Sequence, residues 1–169
     1  RTREQRYSKA ADWDWIARIV SERTIPVIGN GDILTWYEAK ELQQKSKCAS
    51  VMVGRGALIK PWIFREIAEG REFEPNAEER VGIYRQWMRY QKEHFRDDEK
   101  GRKRAMFFLP WHLGFLCRYR PLPAAQYQEM SKAHPLMQTR LPDREQVPVL
   151  EQLLRDPREE VHAKMAAAL

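Results

Sequence analysis

The sequence predicts an α/β region followed by an all-helical domain. Two short apolar runs, at residues 25–28 and 50–53, each end at a glycine turn, and a helical pattern lies between them. From about Asn76 onward, only helical patterns remain. We therefore expect an α/β unit over residues 1–72, a short linker, and a helical domain over residues 76–169.

The first predicted elements are a helix, a strand and a second helix. Apolar residues recur at helical spacing from Trp13 to Val20. Residues 25–28, Ile-Pro-Val-Ile, are apolar throughout and stop at a turn, which is typical of a strand buried on both faces. Thr35 and Glu38 have the spacing of a capping box, so the second helix should begin there and run to about Gln44.

The same pattern then repeats. Residues 50–53 are a second apolar run, and a helix is predicted from Pro61 to Glu69, since proline is common in the first helical turn. Two strands joined by a helical crossover should be parallel neighbours, so the turns that follow them should lie at the same edge of the sheet. These turns are Gly29-Asn30-Gly31-Asp32 and Gly54-Arg55-Gly56.

Four helical patterns make up the rest of the chain. Pro110 should kink the second of them, because proline removes a backbone hydrogen-bond donor. Further prolines divide the segments between the later helices into loops. The predicted helices are residues 77–95, 102–119, 124–132 and 144 to the end.

The two glycine turns are candidate phosphate sites. Glycine permits positive φ and a close approach to the backbone, so turns at strand ends form concave anion sites. In eight-stranded α/β barrels the loops after the last two strands share a phosphate site, to which Arg55 would add a bidentate contact. Neither turn matches a dinucleotide fingerprint or a P-loop. The alternative is that the glycines only close the turns.

The composition favours a nucleic-acid partner over a membrane or a metal ion. Lys and Arg number 30 against 24 Asp and Glu, a net charge of +6 that attracts phosphate where it is clustered. The apolar runs are far shorter than the roughly 20 residues that span a bilayer. Cys48 and Cys117 are too few for a disulfide framework, and the four histidines are too scattered for a metal site.

Eight cations near the start of the helical half form a candidate RNA-binding surface, the basic stripe. The alternative is a solvated charged face that Glu93 and the acidic residues after it neutralise. Trp87 and Trp111 are candidates for stacking on nucleic-acid bases, but aromatic residues at helical spacing are more often core positions, and core positions are the prediction here. The stripe consists of Arg85, Arg89, Lys92, Arg96, Lys100, Arg102, Lys103 and Arg104.

Several runs of this sequence resemble the tRNA-dihydrouridine synthase family. They are Arg1-Thr2-Arg3, residues 25–33 (IPVIGNGDI) and residues 51–58 (VMVGRGAL), and together they cover residues 1 to about 70. Residues 3–13 and 115–119 are most similar to the eukaryotic branch, which acts on position 47 in the variable loop of tRNA.

The resemblance implies the C-terminal βα units of a TIM barrel followed by a helical domain that cradles tRNA. It also implies that the basic stripe contacts tRNA phosphates, with Arg118 and Arg120 as weaker candidates. It implies that the phosphate end of FMN binds Asn30, Gly31 and Asp32 of the first turn, with Gly54 and Arg55 of the second. It also implies that the flavin reduces uridine in tRNA and that NADPH recharges the flavin.

No catalytic residue is assigned to this chain, because the family's catalytic cysteine belongs to an earlier barrel loop. The chain is therefore expected to be an inactive fragment, which self-associates or pairs with the missing barrel half through its open sheet edges. Two alternatives stay open: an FMN-barrel reductase of a small metabolite, and an RNA-binding module without catalysis. The eukaryotic resemblance favours the cytoplasm or the nucleus.

Overall fold

A computed structural model describes residues 4–121, 124–132, 134–139 and 146–169. The chain divides into two compact units, one of residues 1–73 with 121–140 and one of residues 74–120 with 141–169. Residues 121–140 therefore group with the first unit, although the sequence predicts one helical domain from residue 76 onward. The division of function between residues 1–72 and 76–169 stays a prediction.

Nine α-helices and two β-strands lie in the described residues. Most of the predicted elements are present, but the helix Arg55–Ile59 is absent from the prediction, which places a single helix from Pro61 to Glu69. The predicted helix start at residue 144 lies outside the described residues. The prediction of one helix from there to the end is wrong, because two helices, Val149–Arg155 and Glu159–Ala168, lie on either side of Pro157. In chain order the elements are α1 (Trp13–Glu22), β1 (Ile28–Asn30), α2 (Trp36–Ser46), β2 (Ser50–Met52), α3 (Arg55–Ile59), α4 (Ile63–Glu69), α5 (Ala77–Phe95), α6 (Glu99–Leu116), α7 (Ala124–Ser131), a 3₁₀ turn (Leu136–Gln138), α8 (Val149–Arg155) and α9 (Glu159–Ala168).

The two strands pair in parallel, as the sequence predicts. Ile28 lies opposite Ser50, and Asn30 lies opposite Met52. Strand β1 covers residues 28–30 rather than 25–28, because Pro26 has no N–H to donate to a ladder. The strand therefore includes Gly29 and Asn30, the first two residues of the predicted turn.

One face of this small sheet packs on the core of the first unit. The buried cluster there is built around Trp13, Ile33 and Ile63. A Cβ at Gly29 would lie 2.5 Å from Cζ3 of Trp13, so only glycine lets the indole ring pack this closely under β1. Packing against Trp13, rather than the geometry of the turn, therefore requires glycine at position 29.

The opposite face of the sheet carries exposed apolar side chains. Ile28 is 64% exposed and Met52 is 55% exposed. The prediction of strands buried on both faces is wrong for the described chain, because two strands with helices on one side leave the other side uncovered. An apolar sheet face of this kind favours association with further sheet or with another apolar surface.

Helix α2 begins where the sequence places it. The Thr35 side chain accepts from the Glu38 N–H, and the Glu38 carboxylate accepts from the Thr35 N–H at 3.0 Å. Burial raises the pKa of Glu38 above its usual value. Asn76 and Glu79 form the same reciprocal capping box at the start of α5. Both caps satisfy N–H groups that the first helical turn leaves without partners.

The second unit is a helical assembly in which α6 packs against α5 and α9, while α8 packs against α5. Leu109, Leu113 and Leu116 of α6 are fully buried at its centre. Pro110 lies inside α6, and the helix continues past it to Leu116. No helix in the described part of the chain is long and apolar enough to cross a membrane.

The second unit also buries a charged network. The Glu151 carboxylate of α8 contacts the guanidinium groups of Arg80 on α5 and Arg155 on α8, and all three residues are buried. Arg80 also lies over the Tyr119 ring, 5.2 Å from its centroid. Because one carboxylate serves two buried cations, its removal would leave both guanidinium groups without their partner.

Candidate phosphate-binding site and basic surface

The parallel pairing brings the two glycine turns together at one sheet edge. Asn30 and Met52 are the last residues of their strands and lie opposite each other. The Asn30 side chain strengthens this link, since its Nδ2 donates to the Met52 carbonyl oxygen at 2.8 Å. Asn30 therefore ties the first turn to the end of the second strand.

The first turn adopts a left-handed backbone. Gly31 has φ of +133° and Asp32 has φ of +55°. A Cβ at Gly31 would lie 2.4 Å from the Ala11 Cβ, so both the backbone angle and the space require glycine. The Trp13 indole Nε1 donates to the Gly31 carbonyl oxygen at 3.1 Å, which fixes the turn against α1.

The Asp32 carboxylate points into the first unit rather than out to a ligand. Its side chain is only 5% exposed. Oδ2 accepts from the Ala11 N–H at 2.7 Å and from Gln138 Nε2 at 3.3 Å, while Oδ1 contacts Arg55 Nη2 at 3.4 Å. The carboxylate therefore joins three segments that are distant in sequence, and its structural part is to position them.

The second turn leaves room beside a cation. An ideal Cβ at Gly54 would meet no atom of the described residues within 4 Å, so this glycine borders open space. Arg55 follows at the start of α3, with its side chain 24% exposed and its Cζ 3.8 Å from the Tyr7 ring centroid. The Tyr7 ring and the Asp32 carboxylate together fix the direction of the guanidinium group.

A third glycine packs the second turn against the first. A Cβ at Gly56 would lie 2.2 Å from the Ile33 carbonyl oxygen and 3.1 Å from Met137 Cε. Any larger side chain would push the two turns apart. The sequence pattern finds both turns, but it misses Tyr7 and Gln138, whose contacts with the site depend on the tertiary fold.

These features fit a phosphate group. A guanidinium offers five N–H donors, and the contact of Arg55 with Asp32 engages only Nη2. The first N–H groups of a helix have no intrahelical acceptor, and open space lies at Gly54 directly before α3. Asn30, Gly31 and Asp32 lie on the neighbouring turn. The site thus combines a positioned cation with backbone donors, as phosphate binding requires.

The basic stripe is exposed along its whole length. Arg102 pairs with Asp97 at 3.6 Å. Both side chains are more than half exposed, so the pair contributes little to stability and holds Arg102 only weakly. The other seven cations form no ion pair with any described residue. Asp98 caps α6 by accepting from the Gly101 N–H at 2.7 Å. The acidic neighbours therefore neutralise little of the stripe.

Arg120 is not part of this surface. Its side chain is buried, and Nη1 donates to the Cys117 and Tyr119 carbonyl oxygens at 2.7 and 2.8 Å. The sequence-based suggestion of an RNA contact here is wrong, because the guanidinium group satisfies backbone carbonyls after the end of α6.

The aromatic residues of α5 and α6 divide differently from the prediction. Trp87 is half-buried and packs on His112, with 4.5 Å between ring centroids. Burial lowers the pKa of His112 below its usual value. Trp111, in contrast, is 53% exposed, and Phe107 one turn earlier is 76% exposed. The core assignment of Trp111 is therefore wrong, and α6 presents aromatic rings after its basic first turn.

The described residues contain no group of three side chains suited to a metal ion. Cys48 and Cys117 are both buried free thiols. The Cys48 Sγ donates to the Ser50 carbonyl oxygen at 3.1 Å, and the Cys117 Sγ donates to the Gly114 carbonyl oxygen at 3.3 Å. Neither thiol reaches solvent, so their roles are in packing.

Comparison with known proteins identifies the class to which this fold and site belong. Residues 1–140 match the family model described as Dihydrouridine synthase (Dus). The chain belongs to the dihydrouridine synthase family, which confirms the resemblance seen in the sequence.

The more specific relatives are eukaryotic. The human tRNA-dihydrouridine(47) synthase NAD(P)(+)-like protein is 44% identical over 124 residues, covering 72% of this chain and 19% of the human protein. A protein of the same name from Oryza sativa is 39% identical over 125 residues, with 72% and 18% covered. The tRNA-dihydrouridine(47) synthase of Chaetomium globosum is 36% identical over 148 residues, with 72% and 21% covered. The chain thus spans about a fifth of the length of these relatives.

Proposed function

We propose that this chain is the C-terminal part of an FMN-dependent tRNA uridine reductase, which forms dihydrouridine with NADPH as the reductant. The observation that carries the proposal is the meeting of the two glycine turns around a positioned Arg55. In this proposal β1 and β2, with their helices, are the last βα units of a TIM barrel. The names of the relatives, together with family membership, support tRNA as the substrate.

In this proposal each of the five predicted residues has a part in binding the FMN phosphate. Gly54 borders the open space that a phosphate would occupy, Gly31 permits the left-handed backbone of the neighbouring turn, and Arg55 supplies the positive charge. Asn30 and Asp32 hold the turns and the guanidinium in place. Bound FMN supplies the hydride-transfer chemistry that no side chain of this chain provides. The catalytic acid belongs to a part of the enzyme outside this chain, since both cysteines are buried.

The basic stripe is proposed to contact tRNA phosphates. Seven exposed cations that pair with no acidic side chain in the described part of the chain lie on α5, at its end and on the first turns of α6. Positive charge near the start of α6 is unfavourable by itself, because the helix N-terminus already carries partial positive charge. RNA phosphates would relieve this repulsion. The exposed rings of Phe107 and Trp111 lie further along the same helix, within reach of a base that leaves its stack.

We also expect the isolated chain to self-associate or to pair with the rest of the barrel. The exposed apolar residues Ile28 and Met52 on a two-stranded sheet support this expectation. The eukaryotic relatives favour the cytoplasm or the nucleus as the site of action.

The test of the function is position-resolved mapping of dihydrouridine in tRNA, made with the complete protein that carries these residues, FMN and NADPH. We expect reduction in the variable loop. Arg55→Ala should weaken FMN binding about ten- to a hundredfold, because it removes charge-assisted hydrogen bonds to phosphate. Arg18→Ala is the matched control, since Arg18 is exposed and its side chain contacts Glu22 and Trp15 of its own helix, away from the glycine turns.

Two other outcomes would each support an alternative. Bound flavin with reduction of a free pyrimidine, and none of tRNA, would indicate a metabolite reductase. Binding of tRNA without flavin and without dihydrouridine would indicate an RNA-binding module. In either case the proposed function is wrong.

The proposed contact between the basic stripe and tRNA is tested by the salt dependence of tRNA binding. Replacing Arg89 and Lys103 together by alanine should weaken tRNA binding and reduce the slope of log affinity against log salt by about two, because each lost phosphate contact removes about one released counterion. Lys40→Ala serves as the control, since Lys40 is an exposed lysine of the first unit. An unchanged salt slope in the double variant would show that the stripe is an ordinary solvated face.

A further inference from the structure

We propose that Gln138 is a positioning residue for the phosphate site. Its side-chain amide holds the Asp32 carboxylate, and that carboxylate holds the Arg55 guanidinium. The inference rests on the proposed function, because it assigns to Gln138 a part in binding the phosphate of FMN.

The Gln138 amide links the site to two other segments. Nε2 donates to Asp32 Oδ2 at 3.3 Å and to the Lys9 carbonyl oxygen at 3.2 Å. The two N–H groups of one amide are thus used on two acceptors that precede it by 106 and 129 residues. Such contacts cannot arise from local chain geometry, and they place the C-terminal segment of the first unit directly behind the phosphate turn.

The 3₁₀ turn that carries Gln138 is firmly held. Leu136 and Met137 are fully buried. Met137 packs against the second glycine turn, as shown by the 3.1 Å between its Cε and an ideal Cβ at Gly56. The Thr139 Oγ1 donates to the Pro135 carbonyl oxygen at 3.2 Å, which closes the turn. A buried backbone therefore presents the amide in a fixed direction.

The chemistry of the amide suits this position. A cation in place of Gln138 would compete with Arg55 for the carboxylate of Asp32. The neutral amide stabilises the carboxylate without removing its charge, so Arg55 keeps its ion pair. With Gln138 and the Ala11 N–H on Oδ2, and Arg55 on Oδ1, the carboxylate has donors on both oxygens. Loss of the amide would loosen the carboxylate and, with it, the guanidinium that faces the phosphate.

The test compares two flavins that share the ring system and differ in the phosphate. The dissociation constants of FMN and riboflavin are measured by flavin fluorescence with the complete protein, the Gln138→Leu variant and the Gln126→Leu control. Gln126 is an exposed glutamine of α7 in the same unit. We expect Gln138→Leu to weaken FMN binding about five- to tenfold and to leave riboflavin binding unchanged. Gln126→Leu should change neither.

A second variant covers the case in which leucine prevents folding. Gln138→Glu keeps the shape and polarity of the side chain, but it places a carboxylate beside Asp32 and removes the donor. It should weaken FMN binding more than Gln138→Leu does, again without an effect on riboflavin.

The outcomes separate this inference from the proposed function. If the unaltered protein binds FMN no more tightly than riboflavin, the proposed phosphate site is wrong. The proposed role of Gln138 is then wrong as well, because it depends on that site. If the unaltered protein prefers FMN and the Gln138 variants keep that preference, the inference alone is overturned. An equal loss of affinity for both flavins would also overturn it, because it would show a general structural role.

Discussion

Replacing Glu151 by alanine is expected to lower the free energy of unfolding by about 3–5 kcal/mol, the range found when one partner of a buried ion pair is removed. Glu151 is buried between Arg80 and Arg155, which are also buried. Without the carboxylate, two like charges remain in the interior with nothing to balance them. The Tyr119 ring beside Arg80 offers some compensation, but a single cation–π contact is far weaker than the lost pair.

The measurement is urea unfolding of the chain followed by circular dichroism. Glu160→Ala is the control, because Glu160 is an exposed residue of α9 whose nearest cation, Arg158, lies 3.8 Å away, and its loss should change stability by less than about 0.5 kcal/mol. Replacement of all three charged residues by apolar ones of similar size should restore much of the stability, since the desolvation cost disappears with the charges. A loss below about 1 kcal/mol in Glu151→Ala would mean that the network is not formed in solution.

Local signals in the sequence predict local structure well. Thr35 and Glu38 are three residues apart, and the capping box they predict depends only on the backbone between them, so it is present at the start of α2. The pairing of β1 with β2 also follows from a general rule about crossover connections. The start of β1 does not, because it depends on where the partner strand offers hydrogen bonds, and Pro26 can offer none in return.

Side-chain direction is the part that the sequence does not predict. Arg120 carries the positive charge that an RNA contact needs, but its guanidinium group points inward and donates to backbone carbonyl oxygens of its own segment. Trp111 has the spacing of a core residue and lies exposed, because α5 and α9 cover other sides of α6. In each case the neighbouring helices decide which side of the residue meets solvent.

In the candidate phosphate site, the sequence predicts the backbone turns but not the side-chain contacts between distant segments. The glycine turns were predictable, since parallel strands end at one edge and glycine permits the observed backbone. The contacts that hold Arg55 were not, because Tyr7 and Gln138 come from distant segments and have no motif of their own. Asp32 is predicted to bind the cofactor, which stays a prediction, and the sequence does not indicate that its inward carboxylate joins these segments.

Removing the Asp32 carboxylate, which joins these segments, is expected to have the second large effect on stability. Asp32→Ala should lower the free energy of unfolding by about 2–4 kcal/mol, since it leaves the Ala11 N–H, the Gln138 amide and the Arg55 guanidinium without their shared acceptor. It should also reduce the preference for FMN over riboflavin further than Gln138→Leu does. Asp14→Ala is the matched control, because Asp14 is 81% exposed and its pair with Lys45 should contribute less than about 1 kcal/mol.

Asp32→Asn separates the charge from the backbone. Asp32 has φ of +55°, a conformation that asparagine adopts readily and that costs alanine about 1–2 kcal/mol, so the asparagine variant keeps the turn and removes the charge. It should retain more of the stability than Asp32→Ala and still lose affinity for FMN, because Arg55 no longer has an anion to hold it. An asparagine variant with unaltered affinity for FMN would show that the ion pair with Asp32 does not position Arg55, and the Tyr7 ring alone would then account for its orientation.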